Sequence, residues 1–274
     1  MSRLEKLIAE LCPDGVEFRQ LRRVFDIFNG YTPSKSNATY WEEGTIPWFR
    51  MEDIRNHGRI LHDSIQHINP EAIRGKLFPA NSIIISTLAT IGLHALVTVD
   101  YLANQQFTCL SMKTEYKSRL DPKFIFYYGF ILDEWCLNNV NVASFASVDM
   151  EKFGNFKVPI PPLPVQKEIV RILDQYSAAE QELETQLDAE LEAREKQYAY
   201  YRDALLDFSP GKPRISSKHS RLNKLIETFC PDGVDYRQLN NIGMLTRGNG
   251  LQKTDFSENG VGCIHYGQIY TYYG

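Results

Sequence analysis

The sequence predicts an α+β fold in three parts. These are a globular domain over residues 1–161, a long coiled-coil helix over 162–208 and, after a linker at 209–221, an incomplete second copy of the domain start at 222–274. Three observations lead there. Short β-like runs alternate with turn clusters through the first part. The stretch from 165 to 208 has neither Gly nor Pro and carries apolar residues at heptad spacing. The decapeptide CPDGVEFRQL at 12–21 returns as CPDGVDYRQL at 230–239.

The first part opens on a short amphipathic helix with Leu4, Leu7, Ile8 and Leu11 on one face. Cys12, Pro13, Asp14 and Gly15 then form a tight turn, with Gly15 supplying the turn conformation and Val16 expected to enter the core. Further along, SIIIST at 82–87 and HALVTV at 94–99 read as strands, and FNGYTPSKSN, HINPEAIRGK and LFPANS read as turns. The run 120–138 reads as a buried helix started by Asp121 and Pro122.

VPIPPLP at 158–164 interrupts regular structure before the second part. Apolar or aromatic residues then fall at Val165, Ile169, Ile172, Tyr176, Ala179, Leu183, Leu187, Leu191, Tyr198, Tyr201 and Leu205, with Arg194 the one break. About 44 residues at roughly 1.5 Å each would span on the order of 65 Å. The alternative, a core helix packed along a globular domain, conflicts with that length. A helix this long and this acidic needs a partner along its seam, for which Ile169, Ile172, Tyr176, Leu183, Leu187, Leu191 and Tyr198 are the candidates.

With an offset of 218, residues 3–24 align with 221–242, and 13 of the 22 positions are identical. The correspondence continues weakly, pairing Gly30 and Lys35 with Gly248 and Lys253, and PWFRMEDI at 47–54 with GCIHYGQI at 262–269. A period that long is a duplicated domain with its connecting helix, not a solenoid. Val234 is expected to mirror Val16, and Gly233 to mirror Gly15.

Catalytic patterns fail one by one. There is no phosphate-binding GxxxxGK[ST] loop, no GxGxxG, no GxSxG elbow and no HExxH. Asp133 and Glu134 are adjacent in a helix and point apart. The five cysteines form no CxxC pair and are expected to be reduced and packed as small hydrophobes. The net charge of −4 gives no support for nucleic-acid binding by itself, but the acid is concentrated at 161–208, with 11 acidic against 5 basic residues. The opening MSRLEKLIAEL lacks the apolar stretch of a signal peptide and no run is long enough to span a membrane, so a cytoplasmic protein is expected.

What remains is recognition chemistry. NGYTPSK puts Tyr31, Thr32, Ser34 and Lys35 on one loop, and WFRMEDIRNHGR puts Arg50, Arg55 and Arg59 close behind, while Gln105 lies in NQQF. Arg and amide side chains can bond base edges bidentately, while Lys and Thr suit phosphates. Ordinary surface polarity explains any one of these residues as well.

Taken together, NGYTPSK at 29–35, IPWFRMEDI at 46–54, SIIISTLATIG at 82–92, NQQF at 104–107 and VPIPPLPVQKEI at 158–169 resemble the DNA-specificity (S) subunit of type I restriction-modification systems. The resemblance implies that residues 1–161 are a target-recognition domain reading one half of a bipartite site in double-stranded DNA. It also implies that the long helix pairs with a second one to set the gap between half-sites. A DNA adenine methyltransferase (modification) subunit and a restriction/translocase subunit are the implied partners. S-adenosylmethionine, ATP and Mg are expected on those partners, with no cofactor and no catalysis in the specificity subunit. The competing reading is a coiled-coil interaction or scaffold protein without DNA binding.

The family usually carries two complete recognition domains, whereas only 53 residues run from 222 to 274. A homodimer is therefore expected, in which two copies pair their long helices antiparallel about a two-fold axis and present two identical recognition domains to an inverted-repeat target. In such a dimer the second CPDGV copy is expected to be redundant.

Overall fold

The computed structural model describes residues 2–142, 146–208, 220–247 and 250, and divides into two units, 1–187 and 188–274. The first is a mixed helix and strand domain. Its opening helix α1 (Arg3–Leu11) is started by a capping box, in which the Ser2 hydroxyl accepts from the Glu5 amide and the Glu5 carboxylate accepts from the Ser2 amide. None of its residues is buried; Leu4 and Leu7 are half-buried, and Ile8 and Leu11 remain exposed. Gly15 takes φ +92°, which the turn requires and which side chains rarely adopt. Val16 is only half-buried, contrary to expectation, and Cys12 is the turn residue that packs inside.

β1 (Phe18–Gln20), α2 (Leu21–Val24) and β2 (Phe25–Asn29) follow, then β3 (Ile46–Phe49), α3 (Met51–His57), β4 (Ile60–Leu61) and β5 (His67–Ile68). The central strands are β6 (Ser82–Ser86), β7 (His94–Val97), β8 (Leu102–Ala103) and β9 (Phe107–Met112). Five of these form a sheet in the order β2-β9-β6-β7-β4, antiparallel except where β4 pairs with β7. Every residue of β6 and β9 is buried, because the sheet is covered on both faces. The two-residue alternation sorts their side chains: Ile83, Ile85 and Leu110 enter one core cluster, Ile84 and Cys109 the other.

The first cluster is roofed by α4 (Pro122–Asn138), which contributes Phe124, Ile125, Phe126 and Leu132. It begins where expected, with the Asp121 carboxylate accepting from the amides of Lys123 (2.8 Å) and Phe124 (3.3 Å) and Pro122 in the first turn. The hairpin β10 (Val140–Val142) and β11 (Ala146–Val148), helix α5 (Met150–Asn155) and β12 (Lys157–Pro159) complete the domain. A second sheet, β5-β3-β8, holds Trp48, Ile68 and Leu102 in a third cluster.

β1 and β12 pair antiparallel, Phe18 opposite Pro159, so the first CPDGV turn is tied to the start of the long helix α6 (Leu163–Leu206). Gln166 anchors that helix. Wholly buried, it donates to the carbonyls of Arg119 (2.8 Å) and Pro161 (2.6 Å) and accepts from the Asp121 amide (2.8 Å). Gln166→Leu strands three buried polar groups and is expected to lower the unfolding free energy by about 3 kcal/mol. A fall in the urea midpoint at unchanged slope reads it.

The first turns of α6 carry its contacts with the domain: Val165, Gln166, Glu168 and Val170 are buried, and Asp174 accepts from Lys123 at 2.7 Å and from the Tyr127 hydroxyl at 2.6 Å. Ile169 packs against the first core cluster, and Ile172 is half-buried, so these two candidates for the seam are not fully exposed. The others are: Tyr176, Leu183, Leu187, Leu191 and Tyr198 expose 73%, 66%, 66%, 58% and 69% of their surface. Arg194, the break in the apolar rhythm, pairs with Glu190 at 2.7 Å on the same helix. No described helix is long and apolar enough to cross a membrane.

In the second unit, α7 (Ser220–Phe229) repeats α1 and α8 (Leu239–Ile242) repeats α2. Gly233 has the same φ of +92° as Gly15, and the Gly233 amide donates to the Cys230 carbonyl at 3.1 Å as Gly15 does to Cys12 at 3.0 Å. Local sequence thus writes the same local structure twice. The residues matching β1, at 236–238, form no strand, since β1 exists by pairing with β12. Val234 is 42% exposed rather than in a core. The linker residues 209–219, the weak matches at Gly248, Lys253 and 262–269, and Cys263 lie outside the described residues.

Three of the four described cysteines pack as small hydrophobes, and Cys230 is half-buried. Cys12, Cys109 and Cys136 are buried free thiols, and burial pushes Cys109 up to about 11 and Cys136 up to about 12.

Candidate nucleic-acid interface

Three segments distant in sequence converge on one open hollow of about 580 Å³, lined by Thr32, Lys35, Trp41, Glu42, Trp48, Arg50, Gln66, Asn104 and Gln105, with Ala38 at its edge. Backbone contacts bring them together. Gly30 donates to the Phe107 carbonyl and Tyr31 to the Ala103 carbonyl, both at 2.8 Å, which lays the first loop along residues 103–107. Gly30 permits this approach: a Cβ there would lie 2.5 Å from the Ala103 carbonyl oxygen and deeper still into that of Asn104. The Thr32 hydroxyl then donates to the Gln105 side-chain oxygen.

Two tryptophans stiffen the floor. Trp41 and Trp48 meet edge to face at 5.0 Å, and their indole N–H groups donate to the carbonyls of Ser34 (3.1 Å) and Tyr31 (3.0 Å). Arg50, at the exit of β3, lies over the Trp48 ring with its guanidinium carbon 5.7 Å from the centroid, and pairs with Glu52 at 3.0 Å. Its backbone is fixed by the fully buried Asp53, whose carboxylate accepts from the amides of Arg50 and Ile65, each at 2.6 Å. Trp48 and Asp53 belong to the IPWFRMEDI stretch that carries the resemblance but are not among the candidate site residues, and Trp41 lies in no quoted motif.

Of the eight candidates, Thr32, Lys35, Arg50 and Gln105 line the hollow. Ser34 sits at its rim through the Trp41 bond to its carbonyl, its hydroxyl 2.8 Å from that of Ser36. Tyr31 does not line it: its hydroxyl donates to the Ala72 carbonyl (3.2 Å) and accepts from the Arg74 amide (2.6 Å), bracing the third core cluster. Arg55 is exposed on α3 outside the hollow. Arg59 belongs to another network altogether. Gly58, at φ +76°, turns the chain away after α3, and the Arg59 guanidinium donates to Asp133 at 2.9 Å and stacks on Phe130 at 4.7 Å. The same carboxylate lies 2.6 Å from Nδ1 of the wholly buried His94, so Arg59 ties β4 and β7 to α4.

Among the described residues, no group of three or more His, Cys, Asp or Glu side chains could hold a metal. The hollow offers donors, aromatic faces, amides and the Glu42 carboxylate.

The family model for the type I restriction modification DNA specificity domain matches residues 13–193, most of the globular domain and more than half of α6. The chain belongs to the type I restriction modification DNA specificity family. It is 51% identical over 237 residues to the EcoprrI specificity subunit of Escherichia coli, covering 83% of this chain and 57% of that one. It is 34% identical over 203 residues to the EcoR124I/EcoR124II specificity subunit of Escherichia coli, covering 70% and 48%. The chain thus spans about half the length of these curated relatives. A chain solved in work on complex assembly and conformational transition of the type I R-M system superposes with a TM-score of 0.53 at 24% identity, over 71% of this chain and 48% of that one, and shares the fold. Kinship with specificity subunits agrees with the expectation of a recognition chain rather than an enzyme, and the mixed fold with its long helix agrees with the predicted architecture.

Proposed function

We propose that this member of the specificity family reads one half of a bipartite site in double-stranded DNA through the hollow at Thr32, Lys35, Arg50 and Gln105. The observation that carries this is the convergence of those four residues from three separate segments onto one open surface, in a chain whose kin are DNA-specificity subunits. Around it the subunit would position a DNA adenine methyltransferase subunit and a restriction/translocase subunit in the cytoplasm. S-adenosylmethionine, ATP and Mg belong to those partners in this reading.

The second element of the proposal is a homodimer through α6. The support is the exposed row Tyr176, Leu183, Leu187, Leu191 and Tyr198, interrupted only by Arg194 and too apolar for a helix face left in water. A second copy supplies the complementary row at no cost in new sequence, and antiparallel two-fold pairing closes the assembly. Two identical domains then face the DNA in inverted orientation.

Mixing the full chain with its adenine methyltransferase subunits and random-sequence duplexes tests the reading. Recovery of bound duplexes that share a motif is expected. An assembly that forms but retains no duplex would leave a scaffold without DNA binding.

A further inference from the structure

Resting on that DNA-reading proposal, the geometry points to Arg50 as the residue that selects a guanine in each half-site, with Lys35 holding the neighbouring phosphate. The hydrogen-bonding groups of the hollow have already been sorted by the fold. Both indole N–H groups are spent on backbone carbonyls, and the Asn104 amide is spent on Gln106, as its oxygen accepts from the Gln106 amide at 3.1 Å. The Gln105 oxygen is taken by Thr32, so what Gln105 still presents is its NH₂. Lys35 and Arg50 add only donors, while Glu42 and Gln66 also line the hollow and carry acceptors. The paired donors of the Arg50 guanidinium call for a base edge with two adjacent acceptors, and guanine alone shows two, N7 and O6, side by side in the major groove.

Arg50 is built for that edge and Lys35 is not. The guanidinium is about one-third exposed, held from behind by Trp48 and from one side by Glu52, and its Nε–H is buried without a partner among the described residues. A fixed planar fork loses little freedom on binding, which favours bidentate contact. Lys35 is exposed on its loop, a mobile point charge of the kind that suits a phosphate.

The test is to map the adenines methylated by the assembled modification complex carrying the wild-type chain, R50Q, R50K or K35A. R50Q is expected to lose preference for guanine at one position in each half-site by roughly 10- to 100-fold, with the other positions kept. R50K retains the charge without the fork and is expected to relax the same position, which guards against a merely misfolded R50Q. K35A is expected to lower methylation of all sites alike and to reduce the slope of log affinity against log salt by about one. The assignment to Arg50 is overturned if R50Q and R50K both leave the motif intact, or if the position they relax is not a guanine. A wild-type complex that methylates no common motif would instead overturn the DNA-reading proposal itself.

Discussion

Leu183→Glu combined with Leu187→Glu is expected to turn a particle of twice 31.6 kDa into one of 31.6 kDa in light scattering at micromolar concentration. Both leucines are 66% exposed on a single chain, so neither substitution disturbs the recognition domain. In an antiparallel pair each is covered by the partner helix. Burying a leucine contributes about 1.5–3 kcal/mol, and the double variant removes four of them across the two-fold axis. A loss of about 6 kcal/mol or more corresponds to a dissociation constant weakened at least ~10⁴-fold. The matched control is Gln186→Glu, which adds the charge on an exposed position bonded only to Glu182 within its own helix at 3.1 Å, and which is expected to leave the dimer in place. A wild-type chain that is already monomeric at that concentration removes the homodimer from the account.

Gly30→Ala is the second large effect. The added methyl group has nowhere to go, since the carbonyls of Ala103 and Asn104 are backbone and cannot swing aside as a flexible side chain would. The loop at 30–35 must lift from residues 103–107, with an expected cost of about 3 kcal/mol in thermal unfolding. Duplex binding is expected to fall further than stability alone accounts for, because Thr32 and Lys35 leave with the loop while Arg50 and Gln105 stay. Full duplex binding by a folded Gly30→Ala chain would show that the two loops do not act together.

The helices were legible because their signals are local. Asp121 and Pro122 start α4 by chemistry confined to four residues, and the Pro-rich entry and apolar rhythm mark α6 within two residues of its observed bounds. The repeat was legible for the same reason, down to matching φ at Gly15 and Gly233. What one sequence could not disclose depends on chain segments meeting at long range. The parallel pairing of β4 with β7, the bond from the Ile65 amide to the buried Asp53 and the His94–Asp133–Arg59 network join residues 12 to 74 positions apart. Arg59 was grouped with Arg50 by proximity in the chain, and the positive φ of Gly58 separates them. The start of the seam was misread similarly: heptad spacing marks Ile169 as a face residue without saying that the domain core has already claimed it.

If two copies of this chain read DNA symmetrically, the sites methylated by the chain assembled with adenine methyltransferase subunits carry that symmetry. Those sites should consist of one half-site repeated in inverted orientation on either side of a fixed spacer. Two different half-sites, or one undivided site, would contradict it.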